Sequence, residues 1–141
     1  MGIIANLIVL YSNRVHKKNN FWIKNPIIAQ NKLLEGLVKK AKNTQFGIDH
    51  HFKNIKTYQD YKRLVPIVDY EDLKPYIEKT LEGQENILWP GKPLYFCKTS
   101  GTTSGEKYIP ISKESMPFHL KCAKDAILSY IHESGKTEFL K

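Results

Sequence analysis

The chain has 141 residues, with 22 Lys plus Arg against 14 Asp plus Glu, a net charge of +8 and 41% hydrophobic residues, 11% of the total being aromatic. Those values describe one folded soluble domain or part of one, and they exclude a disordered tail, a collagen-like repeat and a disulfide mini-protein. A domain of this length buries about 68 to 70% of its unfolded surface, so size alone demands no partner. The charge is uneven: residues 1 to 63 carry 12 basic and 3 acidic groups, and residues 64 to 141 carry 10 and 11.

The longest apolar run, Ile3 to Tyr11, is broken by Asn6 and spans about half of the roughly 20 residues needed to cross a bilayer, so no transmembrane insertion is expected. The start approaches a myristoylation signal but has Asn6 where Ser or Thr is required. It lacks a basic region before the apolar stretch and a cleavage site after it, which argues against a secretory signal. The expected location is cytoplasmic. Cys97 and Cys122 fit that location as reduced core thiols rather than a disulfide.

Residues 3 to 18 read as a helix, with Ile4, Leu7, Ile8 and Tyr11 at helical spacing for docking on a core and the Lys17-Lys18-Asn19-Asn20 run ending it. Asn25 is positioned to cap a helix starting at Pro26. Its stripe is Ile27, Ile28, Leu33, Leu34, Leu37, Val38 and Ala41, with Lys39, Lys40 and Lys42 near the negative end. Residues 43 to 52 read as loop, and a short helix is expected from Thr57 to Leu64. Val65-Pro66-Ile67-Val68 is extended, because a residue before proline is pushed out of the helical region. Asp69 then caps a helix that carries Glu71 and Asp72 at its positive end and has Gly83 after its last turn. Pro75 sits late for a first turn, so that helix either starts near Tyr70 to Asp72 or kinks at the proline. Trp89-Pro90-Gly91-Lys92-Pro93 is a turn leading into a strand, Leu94 to Lys98. Lys107 to Ile111 reads as a second strand, at an edge or bulged at Pro110. A last helix runs from about Ser115 to His132.

Between the two strands lies Thr99-Ser100-Gly101-Thr102-Thr103-Ser104-Gly105-Glu106-Lys107. Gly101 and Gly105 permit backbone angles at which consecutive N–H groups converge on an anion; the hydroxyls add neutral donors and Lys107 a point charge. Such a loop suits a polyphosphate. It is not a Walker loop, because three residues rather than four separate the glycines and Glu106 precedes the lysine. A Ser/Thr/Gly-rich hairpin without any ligand is the competing reading, since these residues favour turns for local reasons.

The run resembles the phosphate-binding motif of the adenylate-forming superfamily, most of whose members have Thr-Ser-Gly-Thr-Thr-Gly; here Ser104 is an extra residue before Gly105. That longer spacing, followed by Glu and a basic residue, is similar to the Gretchen Hagen auxin-responsive-promoter family of acyl acid amido synthetases. Val65-Pro66-Ile67-Val68-Asp69-Tyr70-Glu71-Asp72-Leu73-Lys74-Pro75-Tyr76-Ile77 and the stretch from Ala29-Gln30 to Phe46-Gly47 resemble it too. The resemblance covers roughly residues 21 to 133.

The resemblance implies an α/β fold, the N-terminal part of an adenylate-forming large domain in which helices precede a strand, phosphate loop, strand and helix. Residues 1–20 would be an N-terminal helix, 21–93 a helical region, 94–112 the strand-loop-strand and 113–141 a helix and a truncated end. It implies ATP with Mg²⁺, a carboxylic acid that is adenylated, and an amine acceptor, usually an amino acid. Thr99, Ser100, Gly101, Thr102, Thr103, Ser104 and Gly105 would hold the phosphates, and Lys107 would neutralise charge on the departing pyrophosphate. Family members run to several hundred residues, so an N-terminal fragment, inactive in isolation, is expected. The residues for adenine, Mg²⁺ and the acyl pocket would lie downstream.

Other candidates carry less. His50 and His51 are adjacent and point apart in extended chain, and His119 with Cys122 makes half a site, so no metal is expected. Tyr95, Phe96 and Tyr108 are read as strand core rather than a stacking surface, Glu106 as an exposed turn residue. Only Arg14 and Arg63 supply guanidinium forks, which argues against nucleic acid. Two alternatives stay open: a catalytically inactive nucleotide-binding remnant, and a basic module that meets nucleic acid or anionic membrane through residues 1–63. The oligomeric state is not legible.

Overall fold

The structure, a computed structural model, describes residues 3–101 and 105–137. Its elements run α1 (Ile3–Lys24), α2 (Pro26–Ala41), α3 (Gln45–Asp49), a 3-10 turn (Phe52–Asn54), α4 (Tyr58–Leu64), α5 (Tyr70–Leu81), β1 (Tyr95–Lys98), β2 (Tyr108–Ile111) and α6 (Met116–Ser134). The chain is therefore mostly helical with one small two-stranded antiparallel sheet. No helix among the described residues is long and apolar enough to cross a membrane. The contacts divide the chain into two units: residues 1–29 with 116–141, and residues 30–115.

In the first unit α1 packs on α6. The contact buries Ser12, Leu128 and Ile131, and the Ser12 hydroxyl disposes of its proton within its own helix by donating to the Val9 carbonyl at 2.7 Å. Asn19 donates to the Asp125 carboxylate at 3.2 Å, and Asp125 also pairs with Lys121 one turn away. The bond from Lys121 holds the Asp125 carboxyl below the ordinary carboxylate range. The expected end of α1 at residues 17–20 is overturned, for the helix runs through to Lys24. Lys and Asn lower helix propensity by a few tenths of a kcal/mol at most, too little to stop a helix. Asn25 does not turn its amide nitrogen forward; it donates back to the Phe21 carbonyl at 2.9 Å. The anticipated docking stripe of α1 is largely open, with Ile4 74% and Leu7 59% exposed.

The second unit is built around Val38 and Ala41, on the last turns of α2, and Phe52. Leu34, Phe46, Ile55, Tyr61, Val65 and Trp89 close on this cluster. Residues 43–52, expected as loop, contain α3, and the reason is Thr44. Its buried hydroxyl donates to the Ala41 carbonyl at 2.8 Å and accepts from the Gly47 amide at 3.0 Å, finishing one helix and capping the next. The carbonyls of Asn86 and Ile87 take the Gln45 and Phe46 amides at 2.8 and 3.0 Å, which satisfies more of the first-turn donors.

Both helices that follow start on capping boxes, Thr57 with Asp60 and Asp69 with Asp72. Asp60 accepts from the Thr57 hydroxyl and from the Lys56 and Thr57 amides, and these bonds, that from the hydroxyl first, lower its pKa. Helix α5 starts at Tyr70, within the expected Tyr70 to Asp72, which leaves Pro75 inside it. Buried Ile77 and Thr80 turn inward, and Tyr76 donates to Asp49 at 2.9 Å while its ring meets Phe46 edge-on. Burial, with the Asp49 bond second, raises the Tyr76 phenol pKa.

The α2–α3 junction is tight enough to test. A Cβ on Gly47 would lie 2.1 Å from the Ala41 carbonyl oxygen, a distance that only backbone movement relieves. Gly47→Ala is expected to cost about 2 kcal/mol or more. Urea unfolding followed by circular dichroism measures it; a variant within 0.5 kcal/mol of the parent, on the order of an inert surface change, would contradict this packing.

Candidate functional site

The hairpin places the loop. β1 and β2 pair in the register Tyr95 with Ile111, Phe96 with Pro110, Cys97 with Ile109 and Lys98 with Tyr108, and the Leu94 amide extends the ladder to Ile111 at 2.8 Å. Among the described residues both strands of this two-stranded sheet are edges, which is why Pro110 is tolerated without a bulge. Beyond Lys98 the ladder closes once more: the Thr99 amide donates to the Lys107 carbonyl at 3.0 Å, and the Lys107 amide donates to the Thr99 hydroxyl oxygen at 3.2 Å. Thr99 and Lys107 are therefore the two posts of the loop.

Between the posts the described residues show the expected glycine chemistry. Gly101 has φ +62° and Gly105 φ +79°, both left-handed. A Cβ on Gly101 would stand 3.0 Å from the Glu106 amide nitrogen and the Gly105 carbonyl carbon, so the loop's two ends approach through this residue. Thr99, Ser100 and Gly105 are exposed, while Gly101 and Lys107 are half-buried. Thr102, Thr103 and Ser104 lie outside the described residues.

Charge is organised around the posts. Lys98 and Glu106 form an ion pair at 2.6 Å across the loop's base, and the bond from Glu106 raises the Lys98 pKa. Glu106, expected as a turn residue without a role, thus neutralises the neighbouring cation and leaves Lys107 as the one not paired with it. The Lys107 ammonium lies 5.3 Å from the centroid of the Tyr70 ring. The same tyrosine's hydroxyl accepts from the Tyr108 amide at 2.8 Å. Tyr70 is the first residue of α5, fixed there by the Asp69 cap, so the Val65–Ile77 segment and the loop meet at this side chain. Sequence reading missed Tyr70, since in the chain it is one aromatic among eight tyrosines, 38 positions from its partner.

Several sequence expectations are corrected here. Cys97 and Cys122 are free thiols, as expected, but exposed rather than core. Tyr95 is 60% exposed, because an isolated hairpin offers one covered face at most. His50 lies near the Leu64 carbonyl, 3.3 Å from its Nδ1, and stacks obliquely on Phe46.

The second unit also holds a groove of about 920 Å³ between α2 and the stretch from Phe52 to Gln59. Its floor is Leu34, Val38, Phe52 and Ile55, and Lys32, Lys39, Lys42, Lys53 and Lys56 stand round it with Glu35. None of the five lysines makes an ion pair among the described residues.

Comparison with known proteins gives a consistent result. The family described as "GH3 family N-terminal domain" matches residues 16–139. An indole-3-acetic acid-amido synthetase of Arabidopsis thaliana is 30% identical over 95 residues, 66% of this chain and 17% of that protein. A second from the same plant is 29% identical over 112 residues, 77% of this chain and 19% of its own. A jasmonoyl-L-amino acid synthetase of Nicotiana attenuata is 40% identical over 60 residues, 41% of this chain and 10% of the relative. The chain spans less than a fifth of the length of each.

The Tyr70 contacts can be separated. Tyr70→Phe keeps the ring beneath Lys107 and removes the acceptor of the Tyr108 amide. The expected cost is about 1 kcal/mol, and hydrogen exchange at the Tyr108 amide should quicken. Unchanged exchange at that amide would mean the hydroxyl does not hold the hairpin.

Proposed function

This chain belongs to the GH3 family, and from that premise we propose that it is the phosphate-loop segment of an ATP-dependent acyl acid amido synthetase of the adenylate-forming kind. In the whole protein a carboxylate oxygen attacks the α-phosphorus of ATP, and pyrophosphate leaves. An amine, such as that of an amino acid, then attacks the acyl carbon, forming the amide and releasing AMP. The observation that carries this reading is the loop itself: two left-handed glycines between hydrogen-bonded posts, with one lysine at the exit.

The residues divide the work by chemistry. Gly101 and Gly105 let the backbone come close to an anion, and Ser100 stands exposed as a donor. Thr102, Thr103 and Ser104 would add hydroxyls. The Thr99 oxygen accepts from Lys107 N–H, yet its own proton stays available to a phosphate oxygen. Lys107 has its backbone N–H committed to Thr99, which fixes the base of its side chain while the ammonium swings from the Tyr70 face to charge on departing pyrophosphate. Donors fixed beforehand in this way stabilise charge as it forms, without reorganising at that moment.

Mg²⁺ would accompany the nucleotide, a hard ion that keeps water and phosphate oxygens as ligands. The carboxylate beside the loop, Glu106, is engaged by Lys98, so this segment offers it no dedicated cage.

The experiment is ATP–pyrophosphate exchange by the full-length protein with its acid substrate. Lys107→Ala is expected to lower exchange by roughly 100- to 1,000-fold, the scale of losing one preorganised donor. Lys113→Ala, outside the loop, should leave it unchanged. Exchange that survives Lys107→Ala would remove the assigned role, and no exchange by the parent would favour the inactive remnant.

The lysine-lined groove favours a second reading, an anion-binding surface within residues 1–63. Binding there would weaken steeply with salt and with neutralisation of Lys39, Lys42, Lys53 and Lys56.

A further inference from the structure

The first unit brings together three side chains that no sequence motif links. His16 comes from α1, and His132 and Glu133 from α6. One ring nitrogen of each histidine and one Glu133 carboxylate oxygen all lie within 4.8 Å of one another. The two imidazoles stack at 3.8 Å between centroids, and Glu133 stands 4.0 Å from His16 Nδ1. Both histidines are half-buried and the glutamate is exposed.

Each imidazole is held by an amide from α1. Asn13 Oδ1 lies 2.6 Å from His132 Nδ1, and Asn20 Nδ2 lies 3.2 Å from His16 Nε2. An amide oxygen only accepts, so His132 Nδ1 carries the proton and Nε2 is left with its lone pair. Fixing the tautomer through the far ring nitrogen is what outer partners do at ligating histidines. On His16 the Asn20 amide nitrogen faces Nε2, so Nδ1, on the Glu133 side, becomes a ligand only when that amide turns half round and accepts from Nε2–H.

We propose that His16, His132 and Glu133 form a binding site for a divalent transition-metal ion of the zinc class. Two imidazoles and one carboxylate are a His₂Glu donor set, which leaves a fourth position for water. Metal–ligand bonds of about 2.0 to 2.1 Å place tetrahedral ligand atoms about 3.3 Å apart, so binding draws together ligand atoms now within 4.8 Å of one another, turning both stacked rings as well as the exposed Glu133. Imidazole selects zinc, copper or nickel over magnesium and calcium. The site depends on α1 and α6 alone, and so stands or falls independently of the phosphate loop.

The test is calorimetric titration of the metal-free chain with ZnCl₂ in a non-chelating buffer, with MgCl₂ as the control. One Zn²⁺ should bind saturably, Mg²⁺ should not compete, and His132→Gln and His16→Gln should each weaken binding at least about tenfold. Asn13→Ala should weaken it by roughly tenfold while all three ligands remain, the signature of an outer partner. Co²⁺ gives a second readout: the parent should develop visible ligand-field bands that either histidine variant loses. Circular dichroism shows whether each variant is folded, and Glu133→Gln, at an exposed position, supplies a variant that leaves the α1–α6 contact intact. Absence of saturable Zn²⁺ binding by the parent would overturn the proposal, and so would binding unchanged in both histidine variants and Glu133→Gln.

Discussion

The hydrogen bond from the Tyr108 amide to the Tyr70 hydroxyl carries more of this structure than its length suggests. Two strands of four residues each are marginal in water, and among the described residues they have no third strand to lean on. What fixes them is the start of α5, and that start is itself fixed by Asp69, whose carboxylate accepts from the Glu71 and Asp72 amides at 2.9 and 3.2 Å. A cap on one helix thus sets the position of a tyrosine, the tyrosine sets a strand, and the strand sets the exit of the glycine loop. The same ring lies beneath the Lys107 ammonium, so the group with the most chemical potential in the loop rests on the residue that orders it.

The cations of the second unit fall into two arrangements with different consequences. At the loop, one lysine is neutralised by Glu106 and the other is held against an aromatic face, which gives a single directed charge suited to a leaving group. At the groove, five lysines that make no ion pair among the described residues surround an apolar floor, and their mutual repulsion makes any anion welcome. The first arrangement is specific and the second diffuse. That contrast is why the proposed catalytic role rests on the loop rather than on the groove.

How much was legible follows the range of the interactions involved. Capping boxes act within four residues, so Thr57 and Asp69 announced their helices in advance, as did the extended Val65–Val68 and both strands. The loop's posts and its left-handed glycines were equally local. Where the reading failed, the deciding contact was distant: α3 exists because Thr44 and the carbonyls of Asn86 and Ile87 serve its first turn, and Tyr70 matters because of residue 108. The histidine cluster was invisible for the same reason, its members lying on the first and last helices. The apolar stripes of α1 and α2 show the complementary failure. Spacing reveals that a helix has a face to bury, yet not what will cover it, and most of α2's stripe, including Ile27, Ile28 and Leu33, is exposed.

Membership of the GH3 family, the posts at Thr99 and Lys107 and the glycines between them converge on one claim, that this loop receives phosphate. Amide chemical-shift mapping of the chain with inorganic pyrophosphate tests it most directly. The account predicts saturable shifts at Ser100, Gly101, Gly105 and Lys107, carried to Tyr108 through the Tyr70 contact. Shifts confined to the groove around Lys39, Lys42, Lys53 and Lys56, with the loop amides unmoved, would contradict it.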